Sequence, residues 1–266
     1  MCQNKIWIGT VLHENPHALR WLNLQHQFLE ETVDGEWERW VWVNGTEEAA
    51  MQVERNDKVL GSYKWPDGTS GFHQHAHGLQ ELLKHFQKEA APHNDLLFLD
   101  IDAFPHKKGW KRKLTSIMEK TNKVVSAIVR TENWNLFAHA SVVFVRSQPK
   151  GIPPWVNFIG CPTQDLLGHW VEDPCVDWPT KKLLPIFRTN RVNLHPLFYG
   201  IYGHHFYHHG AGARTLRFTQ KELKGKGQNF HDPLGGGFLR KDHMHLTERF
   251  FKNPKEFISA LDWEPQ

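Results

Sequence analysis

The run from Leu96 to Pro105 constrains this chain more than any other. Four apolar residues, Leu96, Leu97, Phe98 and Leu99, stop abruptly at Asp100, and a second carboxylate follows at Asp102. A short unbroken apolar run between polar flanks is the pattern of a strand buried on both faces, as in parallel α/β sheets. Asp100 and Asp102 then stand at its C-terminal edge, where open α/β sheets hold ligands. Two carboxylates one residue apart with no base beside them repel each other. A divalent cation that prefers hard oxygen ligands, Mg2+ or Mn2+, relieves that repulsion.

The order of the remaining segments fits such a sheet. Lys5 to Leu12 reads as a first strand, and Asn15-Pro16 opens a helix through about Glu30. Trp37 to Val43 reads as a second strand, closed by the turn signal Asn44-Gly45-Thr46. This is a β-α-β opening. It carries neither GxGxxG nor a GKS/T loop, so no glycine-rich cradle for phosphate is expected and a metal takes that role.

Residues 47–70 read as a loop, or a short helix plus loop. A helix over Phe72 to Lys88 follows, with Leu79, Leu82, Leu83 and Phe86 on one stripe. His73, His75 and His77 stand at its start, and His73 and His75 are read as surface residues. Pro105 ends the aspartate strand. A helix from about Gly109 to Lys120 and strands over Lys123–Val129 and Ala140–Val145 come next. Gly151 to Pro162 is a connection, and Thr163 caps a helix through about Glu172. The segment from His195 through Tyr207 reads as a strand-like run entering the glycine-rich loop that ends at Arg214. A last helix spans Thr247 to Leu261, interrupted at Asn253-Pro254. No repeat appears, so a single domain is expected: a nucleotide-binding half over 1–105, an acceptor half over 106–215 and an appendage over 216–266.

Composition excludes some classes. No run reaches the ~18 apolar residues of a membrane span. The start, Met1 to Lys5, lacks the apolar core of a signal peptide, so a soluble cytoplasmic protein is expected. Cys2, Cys161 and Cys175 are odd in number and fit no zinc spacing, so reduced thiols are expected. A net charge of +3 over 266 residues is too mild to define a nucleic-acid protein. The basic run His106 to Lys113 and the cluster Lys221 to Lys226 are either solvated faces or a patch for a polyanion, with Trp110 available to stack. His243 and His245 find no third partner nearby and are read as surface histidines.

Taken in order, the β-α-β start, His77-Gly78 on a helix, the strand ending at Phe98 to Pro105 and the late Tyr199 to Arg214 segment resemble the GT-A glycosyltransferases. The likeness is strongest to a cytoplasmic group of bacteria and their phages, and it spans residues 5 to 214. The first strand departs from it by lacking a Pro-Thr-Tyr-Asn ending. The resemblance implies an α/β/α sandwich, Rossmann-like, with a mostly parallel central sheet, and sugar transfer from a nucleoside-diphosphate sugar, a UDP-sugar foremost. It implies that Asp102 coordinates Mn2+ or Mg2+. Asp100 then reaches the metal through water or holds the donor ribose. A late histidine completes the metal shell, His208 or, second, His209.

The same resemblance gives Arg214 the phosphates, His77 the donor, and Thr10 and Asn44 the nucleoside. Asp165 is the candidate base that takes the acceptor hydroxyl proton, with Glu172 and Asp173 as alternatives. The acceptor is a hydroxymethylated pyrimidine of DNA, as for similar phage enzymes, or a bacterial polysaccharide or small molecule. Two readings of other classes stand beside it: a His/Asp metallohydrolase using Asp100, Asp102, His208 and His209, and a non-enzymatic nucleic-acid-binding protein.

Overall fold

A computed structural model describes residues 5–15, 17–55, 57–67, 69, 71–90, 93–120, 125–132, 135–147, 183–187, 200–202, 204–209 and 247–261. A seven-stranded sheet lies at its centre. Its strands are β1 (Ile6–His13), β2 (Trp37–Asn44), β3 (Lys58–Ser62), β4 (Asp95–Asp100), β6 (Val125–Glu132), β7 (Asn135–Val145) and β8 (Leu183–Phe187), in the order β3-β2-β1-β4-β7-β6-β8. Six strands run one way. Only β7 opposes them, pairing antiparallel with both β4 and β6. The sheet is therefore mostly parallel, as expected.

Helices cover both faces because β4 is apolar on both. Leu96 and Phe98 face α3 (Gly71–Glu89), against Leu79, Leu82, Leu83 and Phe86. Leu97 and Leu99 face α4 (Trp110–Lys120), against Trp110, Leu114 and Met118. Leu29 of α1 (Ala18–Thr32) joins that second layer. Each such buried side chain contributes about 1.5–3 kcal/mol. Gly78 lets α3 approach closely: a Cβ there would stand 2.6 Å from Trp42 and 2.9 Å from Val11.

The order also creates a switch point. The chain steps outward from β1 to β2 to β3, then returns to the other side of β1 with β4. Strand ends at such a reversal splay apart and leave a crevice. His13 and Asp100 end the two strands that flank it.

Several expectations are corrected. The stretch 47–70 holds both α2 (Glu47–Val53), capped by the Thr46 hydroxyl accepting from the Ala49 amide, and the edge strand β3. Gly61 inside β3 masks its strand character. Among the described residues, the run from His195 is not one strand at its end. It forms β9 (Gly200–Tyr202) and β10 (Phe206–His208), an antiparallel pair turned at His204, whose φ is +63°. With β5 (Ala103–Pro105), they form a second, three-stranded sheet in the order β5-β10-β9. The final segment is helical over 247–252 and again in α5 (Pro254–Leu261), with the break at Asn253 that Pro254 predicts. No described helix is long and apolar enough to cross a membrane.

Trp110 is not available to stack. It is 1% exposed and packs edge-on against Phe144 and Phe206. Lys111 of the same basic run pairs with Asp95 at 2.9 Å.

Candidate metal centre

Asp100 closes β4, and Asp102 follows one turn residue later, just before β5. The second sheet brings the third ligand. In the β10–β5 register His208 stands opposite Ala103, so a residue more than a hundred positions away arrives beside Asp102. The His209 amide extends that ladder by donating to the Asp102 carbonyl at 3.0 Å. His208 Nε2 lies 3.5 Å from Asp102 Oδ1 and 3.7 Å from Asp100 Oδ2. One ligand atom from each of Asp100, Asp102 and His208 falls within 4.8 Å of the others. The Asp102 and His208 side chains are 6% and 3% exposed, and Asp100 is 20% exposed. One buried and one half-buried carboxylate with an imidazole around one point suit a hard or borderline divalent ion.

A second histidine approaches from the other side. His75 Nε2 lies 3.0 Å from Asp100 Oδ1, and its ring stacks on His13 at 5.8 Å between centroids. His75 is therefore not the surface residue the sequence suggested. Its position relative to Leu79, Leu82 and Phe86 carries the apolar stripe of α3 back by one turn, and that periodicity is the signal that could have found it. His73, by contrast, is exposed. Burial pushes the Asp100 carboxyl up, but the charges of His75 and then His208 outweigh it against the opposing push of Asp102. The net result is a carboxyl below its ordinary range.

The turn itself is braced from below. The Gln25 amide donates to the carbonyls of Asp100 and Ala103, both at 2.9 Å. Its oxygen accepts from the Thr10 hydroxyl at 3.0 Å and from Arg39 at 3.1 Å. Arg39 also grips Asp57 with two bonds of 2.6 and 2.7 Å and donates to the Leu22 carbonyl. A planar guanidinium suits this fork geometry. Sequence reading missed Gln25 and Arg39 because neither stands near the aspartates in the chain.

Three expected site residues are buried and bonded to other residues of the fold. Thr10 is fully buried, faces α1 and uses its hydroxyl on Gln25. Asn44 is 2% exposed. Its oxygen accepts from the indoles of Trp42 and Trp65 at 3.1 and 3.0 Å, and its amide donates to the Gln74 carbonyl at 3.0 Å. That last bond anchors the start of α3 to the end of β2. His209 is fully buried. Its Nδ1 meets the Tyr207 hydroxyl at 2.7 Å and its Nε2 meets Thr247 Oγ1 at 3.0 Å. With both ring nitrogens engaged, His209 packs in the core among Trp21 and Phe250, and the cluster around Asp100 and Asp102 takes His208.

His77 does not join the cluster with Asp100. It lies half-buried between Trp42 and Trp65, with ring centroids 5.3 and 5.1 Å away. Asp165, Glu172, Asp173, Arg214, His243 and His245 lie outside the described residues, as do Cys2, Cys161, Cys175 and the basic cluster Lys221 to Lys226.

No family model matches the chain, and no curated protein matches it in sequence. Over about half of its length the chain is similar to several solved structures. One is the apo form of mouse xyloside xylosyltransferase 1, at 10% identity over 53% of this chain and 67% of that one, with a TM-score of 0.35. Another is S. aureus TarS, at 12% identity over 54% of this chain and 47% of that one, TM-score 0.34. LgtC matches at 14% identity over 53% and 57%, TM-score 0.35. The match thus spans about half the length of the TarS 1–349 and LgtC chains.

Proposed function

We propose that this protein is a metal-dependent glycosyltransferase that moves a sugar from a nucleoside-diphosphate sugar to an acceptor hydroxyl. The observation that carries the reading is the Asp100, Asp102 and His208 cluster at the C-terminal edge of a mostly parallel sheet, beside its switch point. These three residues hold Mn2+ or Mg2+, and the imidazole favours Mn2+. When bound, the cation offsets the negative charge that builds on a departing diphosphate.

The chain supplies the rest. Gln25 and the β5–β10 ladder fix the turn that carries both aspartates, so the ligand set is formed before substrate arrives. His75 stands against Asp100 Oδ1, while the other oxygen, Oδ2, faces His208. From its place in the sequence, Asp165 takes the acceptor hydroxyl proton, and Arg214 pairs with the phosphates. A UDP-sugar is the foremost donor, and the acceptor is a hydroxymethylated pyrimidine in DNA or, as the alternative, a bacterial polysaccharide or small molecule. The exposed cations Lys108, Arg112 and Lys113 at the start of α4 are the features that favour a polyanionic acceptor.

The test is thermal unfolding with Mn2+ and a panel of nucleoside diphosphates. A ligand at 100 times its dissociation constant adds about 2.7 kcal/mol. The expected result is stabilisation by a diphosphate only when metal is present, abolished by Asp102→Ala. Absence of any metal-dependent shift defeats the reading. For the acceptor, transfer to hydroxymethylated DNA that weakens with salt is expected, and salt-indifferent transfer to a free sugar counts against DNA.

A further inference from the structure

A second feature stands on the same edge of the sheet. Immediately after β3 the chain presents Tyr63 and Trp65, with ring centroids 4.7 Å apart and planes at 72°. Tyr63 is 48% exposed, yet its backbone is fixed. Its amide donates to the Val43 carbonyl at 2.9 Å, and its carbonyl accepts from the Gly45 amide at 3.1 Å, so Tyr63 prolongs the β2–β3 ladder past the end of β3. Trp65 is pinned through its indole N–H to Asn44, and His77 supports it edge-on from α3. An exposed aromatic on a rigid mount is a preformed stacking surface with little ordering entropy left to lose.

Its location suggests what stacks there. Tyr63 and Asp100 stand at the C-terminal ends of strands three spacings apart, about 14 Å. The His13–His75 pair lies between them. A ligand whose diphosphate sits on the metal cluster and whose far end reaches Tyr63 lies across the strand ends at the start of α3. The far end of a nucleoside-diphosphate sugar is a planar base.

Among the described residues, the two polar side chains the sequence offered for the nucleoside, Thr10 and Asn44, are engaged within the fold. Thr10 is fully buried on Gln25, and all three bonds drawn from Asn44 go to Trp42, Trp65 and the backbone of Gln74. Stacking without edge contacts tolerates any base, because every base offers a π-face. We infer that Tyr63, mounted on Trp65, is the nucleobase platform of the donor site, and that this platform discriminates little between bases. The inference rests on the metal-diphosphate reading above.

The experiment is calorimetric titration, with Mn2+ present, of inorganic pyrophosphate, UDP, GDP, CDP and ADP into the wild type, Tyr63→Ala and Tyr63→Phe. The four nucleotides are expected to bind within about five-fold of one another and about ten-fold tighter than pyrophosphate. Tyr63→Ala is expected to remove that advantage while pyrophosphate binding and melting temperature stay unchanged, and Tyr63→Phe to keep it. Unchanged nucleotide binding in Tyr63→Ala, or about a hundred-fold preference for one base, overturns the platform and leaves the metal site standing. Failure of pyrophosphate to bind with Mn2+ overturns the metal-diphosphate reading and the platform with it.

Discussion

His75 Nε2 lies 3.0 Å from Asp100 Oδ1, and His208 Nε2 lies 3.7 Å from the other oxygen of the same carboxylate, Oδ2. A helix residue therefore restrains a metal-site carboxylate from outside the ligand set, the kind of support that orients such ligands generally. The contact depends on a chain of earlier ones. Asn44 ties the start of α3 to β2, and Gly78 lets the helix settle against Val11 and Trp42.

The Asp100 carboxyl is held below its ordinary range: burial pushes it up, as does the neighbouring Asp102, but the imidazoles of His75 and His208 prevail. A depressed carboxyl contributes stability that is present above its unfolded value and lost as pH falls through the folded one. In His75→Gln the Asp100 carboxyl is expected to titrate at higher pH than in the wild type. Carbon-detected NMR titration of the metal-free protein measures this, and an unchanged midpoint contradicts the assignment.

His208 and His209 are adjacent but are expected to fail differently. His208→Ala should weaken Mn2+ binding by about ten-fold or more while the fold persists. His209→Ala leaves the Tyr207 and Thr247 hydroxyls without this partner, at about 1–3 kcal/mol for each stranded group. Mn2+ calorimetry beside urea unfolding separates the two effects, and equal loss of metal affinity in both variants refutes the distinction.

Gln25 links Thr10, Arg39 and the aspartate turn. Gln25→Leu keeps much of the volume but strands two carbonyls, and a loss of about 3 kcal/mol is expected, accompanied by weaker Mn2+ binding. Arg39→Met leaves Asp57 buried and unpaired by its guanidinium, at about 3–5 kcal/mol. Chemical denaturation measures both, and Arg39→Met should be the more damaging.

His85 packs on the rings of Trp7 and Trp40, and burial there holds its pKa below the ordinary value. The unfolded chain then takes up the proton at higher pH than the native one. The stability His85 contributes is full above its unfolded pKa of about 6.5 and is lost as pH falls through the lower folded value. Melting temperatures of His85→Gln should decline less than the wild type between pH 7 and pH 5, and parallel curves would argue against it.

What the sequence determined by itself was local in origin. Leu96 to Leu99 pointed to a doubly buried strand, because a sheet covered on both faces removes four consecutive apolar side chains from water and the run is too short for a buried helix. Asp100 and Asp102 were thereby committed to its C-terminal end. Pro254 marked the break in the last helical segment because it lacks an amide proton and clashes with a preceding turn. Tertiary structure decided which neighbours those aspartates meet. His208 arrives through the register of β10 on β5, Gln25 from the inner face of α1, and His75 from the first turns of α3. It also decided that Thr10, Asn44 and His209 bind other residues of the fold, since hydrogen-bonding groups sealed away from water must find partners within the protein. Sequence spacing does not encode these meetings. They are set by strand order and helix packing, which depend on the burial of the whole core at once.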